Sequence, residues 1–477
     1  MGDPRGWRDR ARAVWQAGRD QTPARSDDET LRQMEARQAR MVLDIATRLA
    51  SLSLGAGASA ADATAIALLV ADHHHVPAHV DVTFTSVTMT HQRGYDEDPI
   101  TLLRTVRSRE TDYQRLARLE GIGADIASGR LALDDARQAV LDESHSPRTY
   151  RRWLVSTATG ALGGAVAWLI GANGLEIVLA ALVCGLIERV QGWVARSRMP
   201  GFFQQIAGAS ALGLVAIAIM LGRSTPWVPL SVSPSMVVSA GMVAMLSGLA
   251  LMTAARDAID GYYVTSGARM VEVLLQTGGI IFGLLTTLWV GLRFGVPAYL
   301  TPQVGALTPL LVQVPAAMVI SVSFAVVCHL GPRSLPLSAA LGGLGVAVSR
   351  LLTSQVGTAA AAGLGAFAVS FIAQLGTRRW RVSQLALLSA GVVSLLPGMV
   401  TYRGLLATVQ LNQGQTVLAS ESPRLLLTAV LTAVWLAAGS AFGAMVARPF
   451  GLPDDPQQRR SLLKAWRRNV PEASRRR

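Results

Sequence analysis

Apolar positions follow two regimes along the chain. Up to about residue 150 they recur at the spacings of short amphipathic elements, and after Trp153 they merge into long runs. Met41, Ile45, Leu49 and Leu52 fall on one helical face, and Ser53-Leu54-Gly55-Ala56-Gly57-Ala58-Ser59 ends that helix. Ser59 suits the N-cap of a second helix running through Ala71. Val80 to Thr90 alternates with period two, which predicts a strand. Ile100–Val106 would pair with it across the turn Arg93-Gly94-Tyr95-Asp96. Helices over 112–128 and 133–143 complete a small α/β domain, residues 41–146. Residues 1–40 mix charge, Pro and Gln without an apolar period, so they are expected to be disordered.

The later runs are long enough to cross a bilayer, whose core of about 30 Å needs roughly 20 apolar residues. Ten spans are expected: 153–171, 174–193, 202–222, 234–255, 270–292, 309–330, 335–352, 356–376, 382–402 and 424–447. Several are rich in Ala and Gly, which favours close helix packing. Arginines mark one set of loops (Arg196, Arg198, Arg256, Arg269, Arg333, Arg378, Arg379, Arg381) and the basic tail 451–477. By the positive-inside rule these face the cytosol together with the N-terminal domain, so both termini lie inside a cell membrane crossed many times.

A partial echo links the two halves. Gly241-Met-Val-Ala-Met-Leu-Ser-Gly-Leu-Ala aligns with Gly391-Val-Val-Ser-Leu-Leu-Pro-Gly-Met-Val, 150 positions later. Two units of five spans follow, residues 147–300 and 301–450. Five is odd, so the second unit enters from the opposite face. The fold class is therefore a mainly α polytopic membrane protein with two inverted five-helix repeats. Interrupted spans at matching points of such repeats point to a transporter's binding site.

Charge within the spans is sparse, which argues against an ion path lined by carboxylates and for a small solute held by backbone and hydroxyl groups. Ser247-Gly248 and Pro397-Gly398 are the expected helix breaks, with Thr253, Ser394 and Thr401 adding hydroxyls. A half-helix N-terminus suits a carboxylate, and freed carbonyls suit an ammonium. The bland alternative is that Gly and Pro only kink packed helices. Glu188 and Glu272 are candidates for coupling or gating, as are Asp257, Asp260 and Arg269 of the polar hairpin 256–269. The plainer readings are a local pair of Glu188 with Arg189 or Arg196, and a solvated loop at the hairpin.

The formal charge of +13 would suggest nucleic acid in a soluble protein, but here tails and cytosolic loops account for it. Cys184 and Cys328 sit in apolar runs and imply no disulfide framework. His73-His74-His75 cannot all reach one ion, and no P-loop, dinucleotide glycine pattern or nucleophile elbow is present. No cofactor and no metal is expected, and the chain does not read as an enzyme.

The stretch Gly248-Leu-Ala-Leu-Met-Thr-Ala-Ala-Arg-Asp-Ala-Ile-Asp-Gly-Tyr-Tyr-Val-Thr-Ser-Gly-Ala-Arg269, followed by Glu272 and Gly278-Gly279, resembles the bacterial threonine/serine exporters, in particular their actinobacterial branch. Gly55-Ala-Gly-Ala-Ser59, Leu396-Pro397-Gly398 and Tyr402 are in keeping, and the likeness covers nearly everything after Met41. Many members carry Pro-Gly in both halves, where this chain has Ser247-Gly248 in the first. The resemblance implies ten spans, a cytosolic N-terminal domain and export of threonine and serine, driven by protons through alternating access. Partners would be the two amino acids, protons and the lipid bilayer, and a homo-oligomer is compatible. The alternatives are an exporter of another small metabolite, such as a dicarboxylate, and a membrane-anchored enzyme or sensor built on the N-terminal domain.

Overall fold

The computed structural model describes residues 22–92, 97–106, 109–222, 232–246, 248–294, 309–380, 382–398, 400–401, 403–404 and 422–451. The chain opens with helix α1, Thr22–Gly55. Val42, Ile45, Ala46 and Leu49 are fully buried on one face of it. The helix begins inside the stretch expected to be disordered. Residues 29–40 hold Glu, Leu, Arg, Gln and Met, all good helix formers, so an exposed polar turn can grow from a buried nucleus without an apolar face of its own.

Ser59 caps α2, Ala60–His73, by accepting from the Asp62 amide. Gly57 reaches this cap with φ +106°, a conformation that disfavours any side chain. The alternating stretch 80–90 is two strands, β1 (His79–Val82) and β2 (Ser86–His91), not one. The chain reverses over Thr83–Thr85, where Thr83 N–H donates to Ser86 O at 2.9 Å. Thr-Phe-Thr carries strand propensity, so periodicity alone does not reveal the reversal. Strand β3, Ile100–Thr105, pairs antiparallel with β2, with His91 opposite Ile100. The turn expected at 93–96 lies outside the described residues. Val82, Val87, Met89 and Ile100 pack on α1 and α2 in one core. Helices α3 (Tyr113–Ala127, capped by Asp112) and α4 (Leu133–His145) close this unit.

The apolar remainder forms α5 (Arg152–Leu169), α6 (Gly174–Arg196), α7 (Gly201–Gly222), α8 (Pro234–Met245), α9 (Gly248–Ile259) and α10 (Tyr263–Arg293). There follow α11 (Leu310–Val327), α12 (Leu335–Val356), α13 (Thr358–Trp380), α14 (Gln384–Val392) and α15 (Ser422–Gly451). Among the described residues, eight segments are long and apolar enough to cross a membrane, α8 and α9 together counting as one. Of the ten expected spans, 153–171 is a helix diluted by Arg, Ser, Thr and Gly, and 382–402 is represented by a short apolar helix ending at Leu395.

Helix neighbours repeat between the halves. Helices α5 and α6 pair as α11 and α12 do, α7 pairs with α10 as α13 does with α15, and α8 touches α5, α6 and α7 as α14 touches α11, α12 and α13. Glycines set the closest crossings. A Cβ on Gly279 of α10 would lie 2.8 Å from the Phe202 carbonyl of α7. Gly443 of α15 sits as tightly on the Phe367 carbonyl of α13. Side-chain bulk at either place would separate the backbones, and close approach is how apolar helices gain contact in lipid.

Candidate functional site

Two interruptions, one in each half of the helical part, lie against each other, a Cβ on Gly248 falling 3.1 Å from Leu396 Cβ. Helix α8 ends at Met245, Leu246 is extended (φ −67°, ψ 128°), and α9 starts at Gly248. In the other half α14 passes into a 3-10 turn, Val393–Leu395, after which Leu396 is extended (φ −60°, ψ 140°). The two breaks have the same local bond. Gly248 N–H donates to Leu246 O at 2.8 Å, and Gly398 N–H donates to Leu396 O at 2.7 Å. The helical ladder is interrupted at both points, leaving polar backbone groups beside a cavity.

That cavity, of about 770 Å³, is lined by Gly248 and Thr253 of α9 and by Ser394, Leu396 and Gly398 of the second break. Arg269, Glu272 and Gln276 of α10 also line it. The N-terminal unit supplies a further wall, Arg109–Tyr113, with Gly55 and Gly57. Apolar side chains such as Leu162, Ile320 and Phe324 fill the rest. A few polar groups converging on an apolar hollow of this size is the usual make-up of a small-molecule site.

The hairpin 256–269 is tighter than a solvated loop. Only Asp260, Gly261 and Tyr262 lie between α9 and α10, with Gly261 at φ +90°. Helix α10 therefore starts at Tyr263, ahead of the span expected at 270, and carries Arg269 and Glu272 on helical backbone. Asp257 is fully buried and Arg269 is 9% exposed, with Nε 2.9 Å from Asp257 Oδ2. Arg269 also donates to Thr253 Oγ1 at 3.3 Å and to Ala58 O at 3.2 Å. Asp257 Oδ1 accepts from Ala60 N–H, the first residue of α2, at 3.4 Å. A carboxylate at a helix N-terminus and a guanidinium on the turn before it form one network, which ties the apolar helices to the N-terminal unit. Thr265 Oγ1 adds a bond to Val82 O at 3.1 Å. Tyr113 N–H donates to Cys328 O at 3.0 Å, and Tyr150 Oη to Leu330 O at 2.8 Å.

The remaining residues singled out from the sequence fall elsewhere. Ser247 lies outside the described residues. Ser394, part of the cavity lining, has its Oγ buried with no hydrogen-bond partner among the described residues, while Thr401 Oγ1 donates to Pro397 O at 2.7 Å. Pro397 and Thr401 support the second break from outside the lining. Asp257 sits behind Arg269, and Asp260 approaches Arg256 at 3.8 Å. Glu188 is on α6, accepts from Ser156 of α5 and stands 3.9 Å from Arg189, away from the cavity lining.

Sequence reasoning missed Arg109, Tyr113 and Gln276. Gln276 was legible, since Arg269, Glu272 and Gln276 make a polar stripe at i, i+3, i+7 on an otherwise apolar helix. Arg109 was not, because nothing local separates it from the charged run around it. Its guanidinium lies over the Phe84 ring, 3.5 Å from the centroid, and donates to Phe84 O. Burial first, and then the neighbouring Arg269 charge, bring it down to about 10, against the pull of Glu272 and Asp257, so it stays protonated at neutral pH.

Many apolar helices, two of them interrupted beside one shared hollow, define a membrane solute transporter. Residues 44–291 match the family model described as "Putative threonine/serine exporter", and residues 313–446 match a second, "Threonine/Serine exporter, ThrE". The chain belongs to the threonine/serine exporter family. It is 31% identical over 428 residues to the "Probable threonine/serine exporter" of Mycobacterium tuberculosis, covering 86% of this chain and 77% of that one. It is 27% identical over 395 residues to the "Threonine/serine exporter" of Corynebacterium glutamicum, covering 81% and 78%. No solved structure matches the chain.

Proposed function

We propose that the protein exports threonine and serine from the bacterial cytosol by alternating access, with protons as the driving ion. The observation that carries this reading is the pair of equivalent breaks, at Leu246–Gly248 and Leu396–Gly398, opening on one cavity. In this reading the ten spans form two inverted five-helix units. Helix α5 and the α14 segment are the two spans that fall short by length or composition. The recurring helix neighbours support the repeat, and tilting one unit against the other would expose the cavity to each side in turn. Arginine placement supports a cytosolic N-terminal unit and C-terminus. The names of the relatives support the substrates. A hollow holding both signs of charge favours a zwitterion over a dicarboxylate.

Uptake of labelled threonine into inverted vesicles containing this protein alone, with and without an imposed proton gradient, tests both parts. Gradient-stimulated uptake is expected. Uptake that ignores the gradient would remove the proton coupling, and no uptake of labelled threonine, nor of labelled serine in a parallel assay, would remove the exporter reading.

A further inference from the structure

The cavity's charged side chains come from α10 (Arg269, Glu272) and from the N-terminal unit and the segment after it (Arg109, Glu110, Asp112, Arg148), where Arg148 pairs with Glu110 and Asp112 caps α3. Arg269 is committed to Asp257, Thr253 and Ala58. Glu272, one turn further along α10, makes a long contact of 3.4 Å with Gln276 on its own helix. Arg109 stands on the segment between β3 and α3, anchored by the Phe84 carbonyl and ring. It is near enough to feel the charges of Arg269, Glu272 and Asp257. Anchoring one edge of a guanidinium and packing it on an aromatic face leaves its other donors fixed in direction, the arrangement that suits a carboxylate. A carboxylate in the same cavity suits an ammonium.

We infer that Arg109 and Glu272 form the binding pair for a zwitterionic α-amino acid, Arg109 taking the α-carboxylate and Glu272 the α-ammonium, so that the soluble N-terminal unit contributes directly to the substrate site. The inference rests on the exporter reading and adds to it the recognition chemistry and its location. It gives Arg269 a different task, holding the α9–α10 hairpin against α2. The N-terminal unit is then one wall of the site, and the broken helices are the part that moves around the bound solute.

The test is equilibrium binding to the purified full chain, with L-threonine, threoninamide (no carboxylate) and N-acetylthreonine (no ammonium) as probes. Arg109→Gln should weaken L-threonine by roughly tenfold or more and leave threoninamide within about twofold, since only the former presents a partner for the guanidinium. Arg109→Lys should fall between, keeping the charge and losing the fork. Glu272→Gln should weaken L-threonine and threoninamide alike and spare N-acetylthreonine. Equal losses for L-threonine and threoninamide in Arg109→Gln would mean a structural role only and overturn the inference. So would unchanged L-threonine binding in that variant. Wild-type protein that binds no amino acid removes the exporter reading, and this inference with it.

Discussion

Gly248 and Leu396, on opposite halves of the chain, touch across the central cavity: a Cβ on Gly248 would stand 3.1 Å from Leu396 Cβ. The counterpart on the other side is Gly398, where a Cβ would lie 2.9 Å from Val243 Cγ1. Each break is thus packed on the segment that leads into or out of the other. Gly398→Leu should abolish threonine export while the amount of protein in the membrane stays at wild-type level. The added side chain would press on Val243 of α8 and crowd the cavity between the breaks. Export at the wild-type rate would mean that this break only kinks a packed helix.

The Asp257–Arg269 pair makes a different demand. Two charges buried this deeply are costly to hold apart, and removing one partner typically costs about 3–5 kcal/mol. Asp257→Asn should lower the unfolding temperature of the solubilised full chain, because Arg269 then keeps its charge without the carboxylate it is paired with. Replacing both together, Asp257→Leu with Arg269→Met, should recover much of that loss. A single variant as stable as the wild type would mean that water reaches this hairpin in the native state.

The two breaks were legible because Gly and Pro interrupt helices through backbone chemistry, which needs no tertiary information. Most helix positions were legible for a similar reason, as Ser59 and Asp112 act as caps and apolar runs report their own length. What stayed hidden depends on contacts far apart in sequence. Asp257 meets Ala60, and Arg109 meets the Phe84 ring and the field of Glu272, across separations that leave no local trace. Thr83–Thr85 shows the converse failure: a reversal made of strand-forming residues looks like strand. The polar start of α1 was missed because a propensity-driven helix has no apolar stripe to detect.

The proposed proton coupling separates two carboxylates that look alike in sequence. Glu272 lines the cavity, while Glu188 bridges α6 to Ser156 of α5 beyond it. A proton that drives export must be taken up where it can respond to the solute. Glu272→Gln should therefore flatten the pH dependence of whatever export remains, and Glu188→Gln should keep the wild-type profile. Uptake rates across a pH series in inverted vesicles decide it. A flattened profile in Glu188→Gln alone would place the coupling between α5 and α6.

The buried carboxyl of Glu120 should make the stability of the protein depend on pH. It lies on α3 and accepts from Ser383 Oγ at 3.0 Å, beside a small hollow that also takes in Asp62, Arg256 and Gln384. Burial, and then the nearby Asp62 charge, push its carboxyl up to about 8 from 4.5, against the Ser383 hydrogen bond, which lowers it. The native state then holds a proton that the unfolded chain has already released across the window between these values. Stability at this contact is complete below about 4.5 and declines as pH rises towards 8. The unfolding temperature of the full chain should fall over that window. Glu120→Gln keeps a neutral group against Ser383, so it should flatten the decline and melt above the wild type at pH 8, by about 2 °C or more. Identical slopes for the two proteins would show that Glu120 is ionised in the folded chain, with Arg256 supplying the compensating charge.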